Sequence, residues 1–188
     1  MINLRLRQAI AADCRSRAPE EACGFVINGE LMPCQNQHPD PENHFVIAAE
    51  DYALAEEQGD IECVYHSHLN GNVQFSVHDV QVCKQTNLPW ILYELKTSTM
   101  IYADPTGNAP YLERDWAYGL NDCYSLLRDF HKREFGIELD DFKRGENREW
   151  ERGGWTMFVD NYREQGFVEI DKPERKGDFL LMQLDASS

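Results

Sequence analysis

Tyr65-His66-Ser67-His68-Leu69-Asn70-Gly71-Asn72-Val73-Gln74-Phe75-Ser76-Val77-His78-Asp79 is the stretch on which the reading of this chain turns. It follows an apolar, strand-like run of Ile61, Cys63, Val64 and Tyr65. Residues two apart in a strand point to one face, so His66 and His68 aim both imidazoles at a common point. A Gly/Asn loop follows, then Ser76 opens a helix-like segment with Asp79 in its first turn. Two imidazoles and a carboxylate arriving from a separate element make an open tripod suited to Zn²⁺, with a fourth position left for water. A plainer reading stands beside this one. Ser76-x-x-Asp79 is also a capping box, which needs no metal, and two histidines can simply be polar residues at a strand end. The two readings are compatible, because a ligand in the first turn can sit on a capped helix.

A chain of 188 residues allows one large domain or two small ones, and its 42% hydrophobic share is ordinary for a globular protein. A net charge of −15, with no Lys/Arg-rich tract, argues against a nucleic-acid partner. No stretch is long enough to span a bilayer, and the N-terminus shows no apolar run with a cleavage site, so a cytoplasmic protein is expected. The six cysteines (14, 23, 34, 63, 83 and 123) are scattered without a C-x-x-C pair. They read as reduced thiols, not as a disulfide framework or a cysteine zinc site.

Working outward, residues 3–17 read as a helix stopping before Pro19, with Leu4, Leu6, Ile10 and Ala11 apolar. Cys23–Ile27 and Glu30–Cys34 read as a hairpin joined by Asn28-Gly29. Residues 35–43 are a Pro/Asn/Asp-rich loop, 44–47 a strand, 49–58 a helix ending near Gly59, and 61–65 the histidine strand. A helix over 77–85 and strands over 89–95 and 99–103 complete a mixed sheet covered by helices. Residues 105–110 are a breaker cluster and the expected linker. Beyond it, Asn121-Asp122-Cys123 opens a helix that ends at Gly136, with Leu126, Leu127, Phe130 and Phe135 near one face. A second helix is expected over 155–165, an extended run over 167–170, and a strand over 179–184. Asp122 as a cap leaves Cys123 at a helix N-terminus, where a thiol pKa falls; the bland alternative is a small buried apolar residue.

Two resemblances sharpen this. His66-Ser67-His68, then Ser76 and Asp79 at these spacings, with Glu21-Ala22-Cys23-Gly24-Phe25-Val26 upstream, resembles the JAMM motif of MPN-type zinc metallopeptidases. The resemblance covers about residues 1–104. It implies a cytidine-deaminase-like α/β fold, one zinc on His66, His68 and Asp79, Glu21 as general base, and Ser76 as hydrogen-bond donor to the oxyanion. Peptide or isopeptide hydrolysis follows from it. Many members have Pro where this chain has Leu69, a position with no role in catalysis. Glu20 is the alternative base if the register slips, and His38, His44 and His78 are expected at the surface.

Tyr118-Gly119-x-x-Asp122-Cys123-x-x-Leu126-x-Arg128-Asp129, with Lys176-Gly177-Asp178-Phe179-Leu180-Leu181 later, resembles the first half of an NlpC/P60 cysteine peptidase. That implies an incomplete α+β papain-like domain over residues 111–188 with Cys123 as nucleophile. The family's histidine lies beyond the Gly-Asp strand, past Ser188. His131, eight residues after Cys123, is about 12 Å along the helix and too far for direct proton transfer. A JAMM domain followed by an NlpC/P60 domain is similar to a family of tail-assembly proteins of lambda-like bacteriophages. Peptide or protein substrates are then expected, such as tail proteins or peptidoglycan peptides, in the host cytoplasm or the virion tail.

Overall fold

The computed structural model describes residues 2–142 and 157–181. Asn3 starts the first helix, its side chain accepting a hydrogen bond from Leu6 N at 2.9 Å, and α1 runs Leu4–Arg17. Its buried stripe is Leu6, Ile10 and Cys14, four residues apart, while Leu4 is left exposed. Strands β1 (Cys23–Ile27) and β2 (Glu30–Cys34) pair antiparallel through a tight turn. Asn28 and Gly29 both take positive φ, 52° and 72°, as a two-residue hairpin turn of this hand requires.

Then come α2 (Ala49–Gln58), β3 (Ile61–His68), α3 (Val77–Thr86), β4 (Trp90–Glu94) and β5 (Thr99–Ala103). The sheet has five strands in the order β2-β1-β3-β4-β5. β3 and β4 are parallel and joined over α3; the other neighbouring pairs are antiparallel. Strand parity sorts the side chains. Val26, Cys63, Tyr65, Ile91 and Tyr93 face α1. Cys23, Phe25, Val64, Trp90 and Leu92 face the opposite way, with Ala55 of α2 and Cys83 of α3. The expected mixed sheet covered by helices is the observed one, and His66 and His68 extend the second face.

Gly24 lies directly across from Tyr65. A Cβ there would fall 2.4 Å from Met32 O and 2.7 Å from Tyr65 Cε1. The bare backbone lets the Tyr65 ring lie flat and donate from its hydroxyl to Asp13 Oδ2 at 2.7 Å. Gly24→Ala should therefore destabilise the protein by about 3 kcal/mol, read from denaturant unfolding, because the clash is with backbone that cannot move aside.

The strand expected over 44–47 does not form. Asn36, a buried side chain, takes the place of a partner strand: its Oδ1 accepts from Val46 N at 3.1 Å and its Nδ2 donates to His44 O at 2.9 Å. The run is in no ladder: two of its polar groups close on this side chain, and Val46 O accepts from Gln37 N.

The chain divides into two compact units, Met1–Cys123 and Tyr124–Ser188. Residues 105–110, expected as a linker, fall inside the first unit. Asp104 Oδ1 accepts from Thr106 N (2.9 Å) and Oγ1 (2.6 Å), and Ala117 and Leu120 join the core. Side chains close the outer edge of β5: Asp115 Oδ2 accepts from Tyr102 N and Asn121 Nδ2 donates to Tyr102 O. Helix α4 (Cys123–Phe135), whose first residue is the last of the first unit, begins at the residue expected and stops at Gly136, φ 68°. The helix expected over 155–165 is shorter where described: α5 covers Met157–Asn161, followed by turns to Gly166. Residues 167–170 and 179–181 are in no ladder, and 182–184 lie outside the described residues.

Candidate metal centre

The strand that carries the histidines explains their orientation. On β3, Val64, His66 and His68 point to the α2/α3 face, and Cys23 of β1 is the cross-strand partner of His66. Ser67 N donates to Ala22 O at 3.0 Å, and Ala22 N donates to Ser67 Oγ at 2.8 Å. The pairing thus continues past the end of β1 and brings Glu21 opposite His68. By parity Glu21 lies on the imidazole face. Its backbone is held on the other side as well, Glu21 N bonding to Pro41 O and Asn36 Nδ2 to Glu21 O.

Asp79 arrives from the first turn of α3. The capping box is present in full: Ser76 Oγ accepts from Asp79 N at 3.1 Å and Asp79 Oδ2 accepts from Ser76 N at 2.7 Å. Oδ2 also lies 3.5 Å from His66 Nε2 and 3.5 Å from His68 Nε2. The two Nε2 atoms are 3.3 Å apart. Cap and ligand readings therefore coincide in one carboxylate. Three donors at 2.0–2.1 Å from a tetrahedral zinc are spaced about 3.3–3.4 Å apart. The observed triangle has that size, and His66, His68 and Asp79 are all buried.

The hydrogen bonds outside the triangle bear on which atoms are free to bind. His68 Nδ1 faces Asn72 O at 3.1 Å. A carbonyl only accepts, so Nδ1 carries the proton and Nε2 turns a lone pair inward. His66 Nδ1 has no such partner. Its ring stacks on Phe45, with centroids 4.6 Å apart and planes at 22°, and has Trp90 and Phe75 at 5.6 and 5.8 Å. This aromatic wall keeps water off one side of the site.

Electrostatics follow from burial and from these contacts. Burial pushes the His66 pKa down, more than Asp79 raises it, so the ring is neutral as a ligand must be. For His68, burial is outweighed by Asp79 and the Asn72 carbonyl, and the pKa rises. Burial would raise that of Asp79, but His66, His68 and Ser76 hold it well below the usual carboxylate range. Glu21 is 4% exposed. Burial raises its pKa to about 7; His68 opposes this and Asp79 and Asp40 add to it. Asp79 is a buried carboxylate facing both imidazoles, with Glu21 on the same face, an acidic setting that a divalent cation would balance.

Each residue singled out in the sequence has a definite place. His66, His68 and Asp79 converge, and Glu21 shares their face. Ser76 is exposed: its hydroxyl oxygen accepts from Asp79 N, and the hydroxyl proton remains to donate. Glu20 is half-buried, and His44 and His78 are exposed. Cys123 is exposed at the start of α4, unlike the five other cysteines, which are buried. His131 is buried in the second unit, Nδ1 2.9 Å from Leu127 O and Nε2 3.1 Å from Gly177 O. Both nitrogens are thus engaged with backbone carbonyls. Asn36, in the Pro/Asn-rich segment, and Phe45, in the run expected as a strand, carried no sequence signal of a part in the site.

Residues 3–111 match the family described as prokaryotic homologs of the JAB domain. Over 183 residues the chain is 34% identical to the tail tip assembly protein K of Escherichia phage N15, covering 95% of this chain and 75% of that protein. It is 33% identical over 138 residues to the tail tip assembly protein K of Escherichia phage lambda, covering 72% of this chain and 65% of that one. The match thus spans about two thirds to three quarters of these relatives' length. Among solved structures, a solution structure of a Desulfitobacterium hafniense protein aligns with 54% of this chain and 79% of its own, at 18% identity and TM-score 0.45. One from Salinibacter ruber aligns with 53% and 77%, at 19% identity and TM-score 0.34.

Proposed function

Since the chain belongs to the family of prokaryotic homologs of the JAB domain, we propose that it is a zinc-dependent peptidase that serves tail tip assembly in a bacteriophage. The observation that carries the reading is the buried His66/His68/Asp79 triangle of zinc-sized dimensions with Glu21 on the same face. The tail setting comes from the two relatives named for it.

His66 Nε2, His68 Nε2 and Asp79 Oδ2 would hold the ion. Zinc, when bound, supplies Lewis acidity toward water and toward the scissile carbonyl. The chain's own groups do the rest. The Glu21 carboxylate would take a proton from the attacking water and return it to the leaving amine, so that a water O–H and the peptide C–N bond break while a C–O and an N–H bond form. The Ser76 hydroxyl donates to the carbonyl oxygen as negative charge builds there. Phe45, Phe75 and Trp90 keep His66 dry, which strengthens each of these interactions.

The test is to incubate tail proteins and peptidoglycan peptides with the zinc-supplemented protein and map new termini by mass spectrometry. Cleavage that disappears with a chelator and returns with zinc supports the proposal. Stoichiometric zinc without cleavage of either class supports the second reading, a tail-assembly factor whose metal is a structural staple. That reading draws on the same relatives, since their names specify assembly and not hydrolysis. Host cytoplasm during assembly, or the virion tail, is the corresponding location. Among the described residues no helix is long and apolar enough to cross a membrane.

A cysteine-peptidase role for Cys123, in an NlpC/P60-like second domain, rests on resemblance and on the exposure of this thiol. Because it lies outside the metal site, Cys123→Ala should leave chelator-sensitive cleavage within about twofold of wild type, the range of a neutral surface change. Loss of a separate, chelator-resistant cleavage of wall peptides in the same variant would establish a second active site.

A further inference from the structure

Glu94 ends β4 as the parallel neighbour of His68 and is fully buried, yet it is not part of the metal triangle. A buried carboxylate is costly unless every lone pair has a use, so its partners state its role. Oε2 accepts from Thr97 N at 2.7 Å and Thr97 Oγ1 at 3.0 Å, closing the turn between β4 and β5. Oε1 reaches the other way, to Gly71 N at 2.9 Å, in the loop after β3. Burial opposes ionisation, but hydrogen bonds from Thr97, Lys96 and Gly71 outweigh it and keep the pKa below the ordinary range.

Gly71 sits at φ 88° and is followed directly by Asn72, whose carbonyl faces His68 Nδ1. The rest of that loop is tied locally: Asn72 N to Asn70 Oδ1 and Gln74 N to Asn72 Oδ1. Apart from the contact with His68 itself, the hydrogen bond from Gly71 N to Glu94 ties this turn to the sheet. We propose that Glu94 is a positioning residue for the metal centre: by holding Gly71 N it presents the Asn72 carbonyl to His68, and so fixes the tautomer that turns the His68 Nε2 lone pair inward. The inference rests on His68 being a zinc ligand for its functional meaning, but the tautomer itself is a property of the metal-free chain.

Two substitutions separate the loop link from the turn. Glu94→Gln puts an NH₂ group opposite either Gly71 N or Thr97 N, a donor facing a donor. Glu94→Asp shortens the side chain by one methylene. It keeps the turn, because Asp readily bonds backbone N–H groups two and three residues on, and it loses the reach to Gly71. The measurement is a long-range ¹H–¹⁵N correlation spectrum of the imidazoles in zinc-free protein at one alkaline pH, where His68 is neutral, with zinc affinity by chelator competition.

Wild type should show His68 with its proton on Nδ1 alone. Both variants should show a mixture of tautomers and bind zinc about 10–100-fold more weakly, the usual cost of losing a partner behind a ligand. Should Glu94→Gln fail to fold, Glu94→Asp carries the test. A pure Nδ1–H tautomer and zinc affinity within about twofold of wild type in Glu94→Asp overturn the proposal. If wild type binds no zinc but the variants still shift the tautomer, the metal reading fails and the Glu94 assignment stands.

Discussion

Glu21→Gln, loaded with zinc, is expected to bind the metal as wild type does and to cleave peptide about a thousandfold more slowly. Gln has the size and polarity of Glu but cannot accept and return a proton near neutral pH. Glu21 is not one of the triangle atoms, so the ligand set is untouched. The same change should make the metal-free protein more stable in alkali. Glu21 ionises at about 7 in the fold against an ordinary 4.5. A carboxyl whose pKa is raised by folding stabilises the fold when protonated. That contribution is complete below about 4.5 and is lost as pH climbs through about 7. At pH 8 wild type carries a buried carboxylate that the variant lacks, a difference of at most about 3 kcal/mol. At pH 4.5 the two proteins should melt together. Thermal unfolding in chelator at both values, beside cleavage rates with zinc, checks the pair of effects. Wild-type cleavage by Glu21→Gln would move the base elsewhere, with half-buried Glu20 the next carboxylate in line.

That one residue should be both a stability cost and a catalytic gain follows from where it sits. Glu21 is buried because the β1–β3 register runs on past Cys23, and Asn36 and Pro41 close over its backbone. A solvated carboxylate would have an ordinary pKa and would transfer protons less well near neutrality. Sites of this kind trade local stability for function.

The His66/His68/Asp79 triangle was legible in the sequence because its geometry is local twice over. Strand parity sets His66 and His68 side by side, and the spacing from Ser76 to Asp79 fixes a capped first turn. Only the loop between must bring the two together. Glu21 was legible through family resemblance; the physical reason, a strand register reaching back from Cys23, needed the sheet. Asn36, Phe45 and Glu94 were invisible because each works through partners far along the chain. Asn36 stands in for a strand edge, and this is also why residues 44–47 read as a strand and are not one. Their apolar and β-branched side chains suit a ladder, but His44 O and Val46 N are taken by the Asn36 amide and only Val46 O meets a backbone donor, Gln37 N. In the second unit the apolar spacing located α4, since that signal is local. Its packing is set by rings that meet across long separations, as Tyr124 does with Phe142 and Phe158.

The remaining large effect concerns Asp79, whose Oδ2 caps the helix and is the same atom that would bind a metal beside His66 and His68. Asp79→Asn and Ser76→Ala should pull these roles apart. Asn can still accept from Ser76 N through its carbonyl oxygen, and the Ser76 hydroxyl can still accept from the backbone at residue 79. The helix start therefore survives, and stability in chelator should fall by less than the roughly 1 kcal/mol of a lost cap. Zinc affinity should drop by well over about 100-fold, because even partners standing behind a ligand are worth 10–100-fold and this is the ligand itself. Ser76→Ala should do the reverse, losing about 1 kcal/mol of stability while leaving zinc affinity unchanged. It should also slow cleavage by about 10²–10³-fold if its hydroxyl serves the oxyanion. Chelator competition, unfolding and cleavage rates on the two variants give a double dissociation. Wild-type zinc affinity in Asp79→Asn would reduce the cluster to a capped helix beside two buried histidines, and the peptidase reading would fall with it.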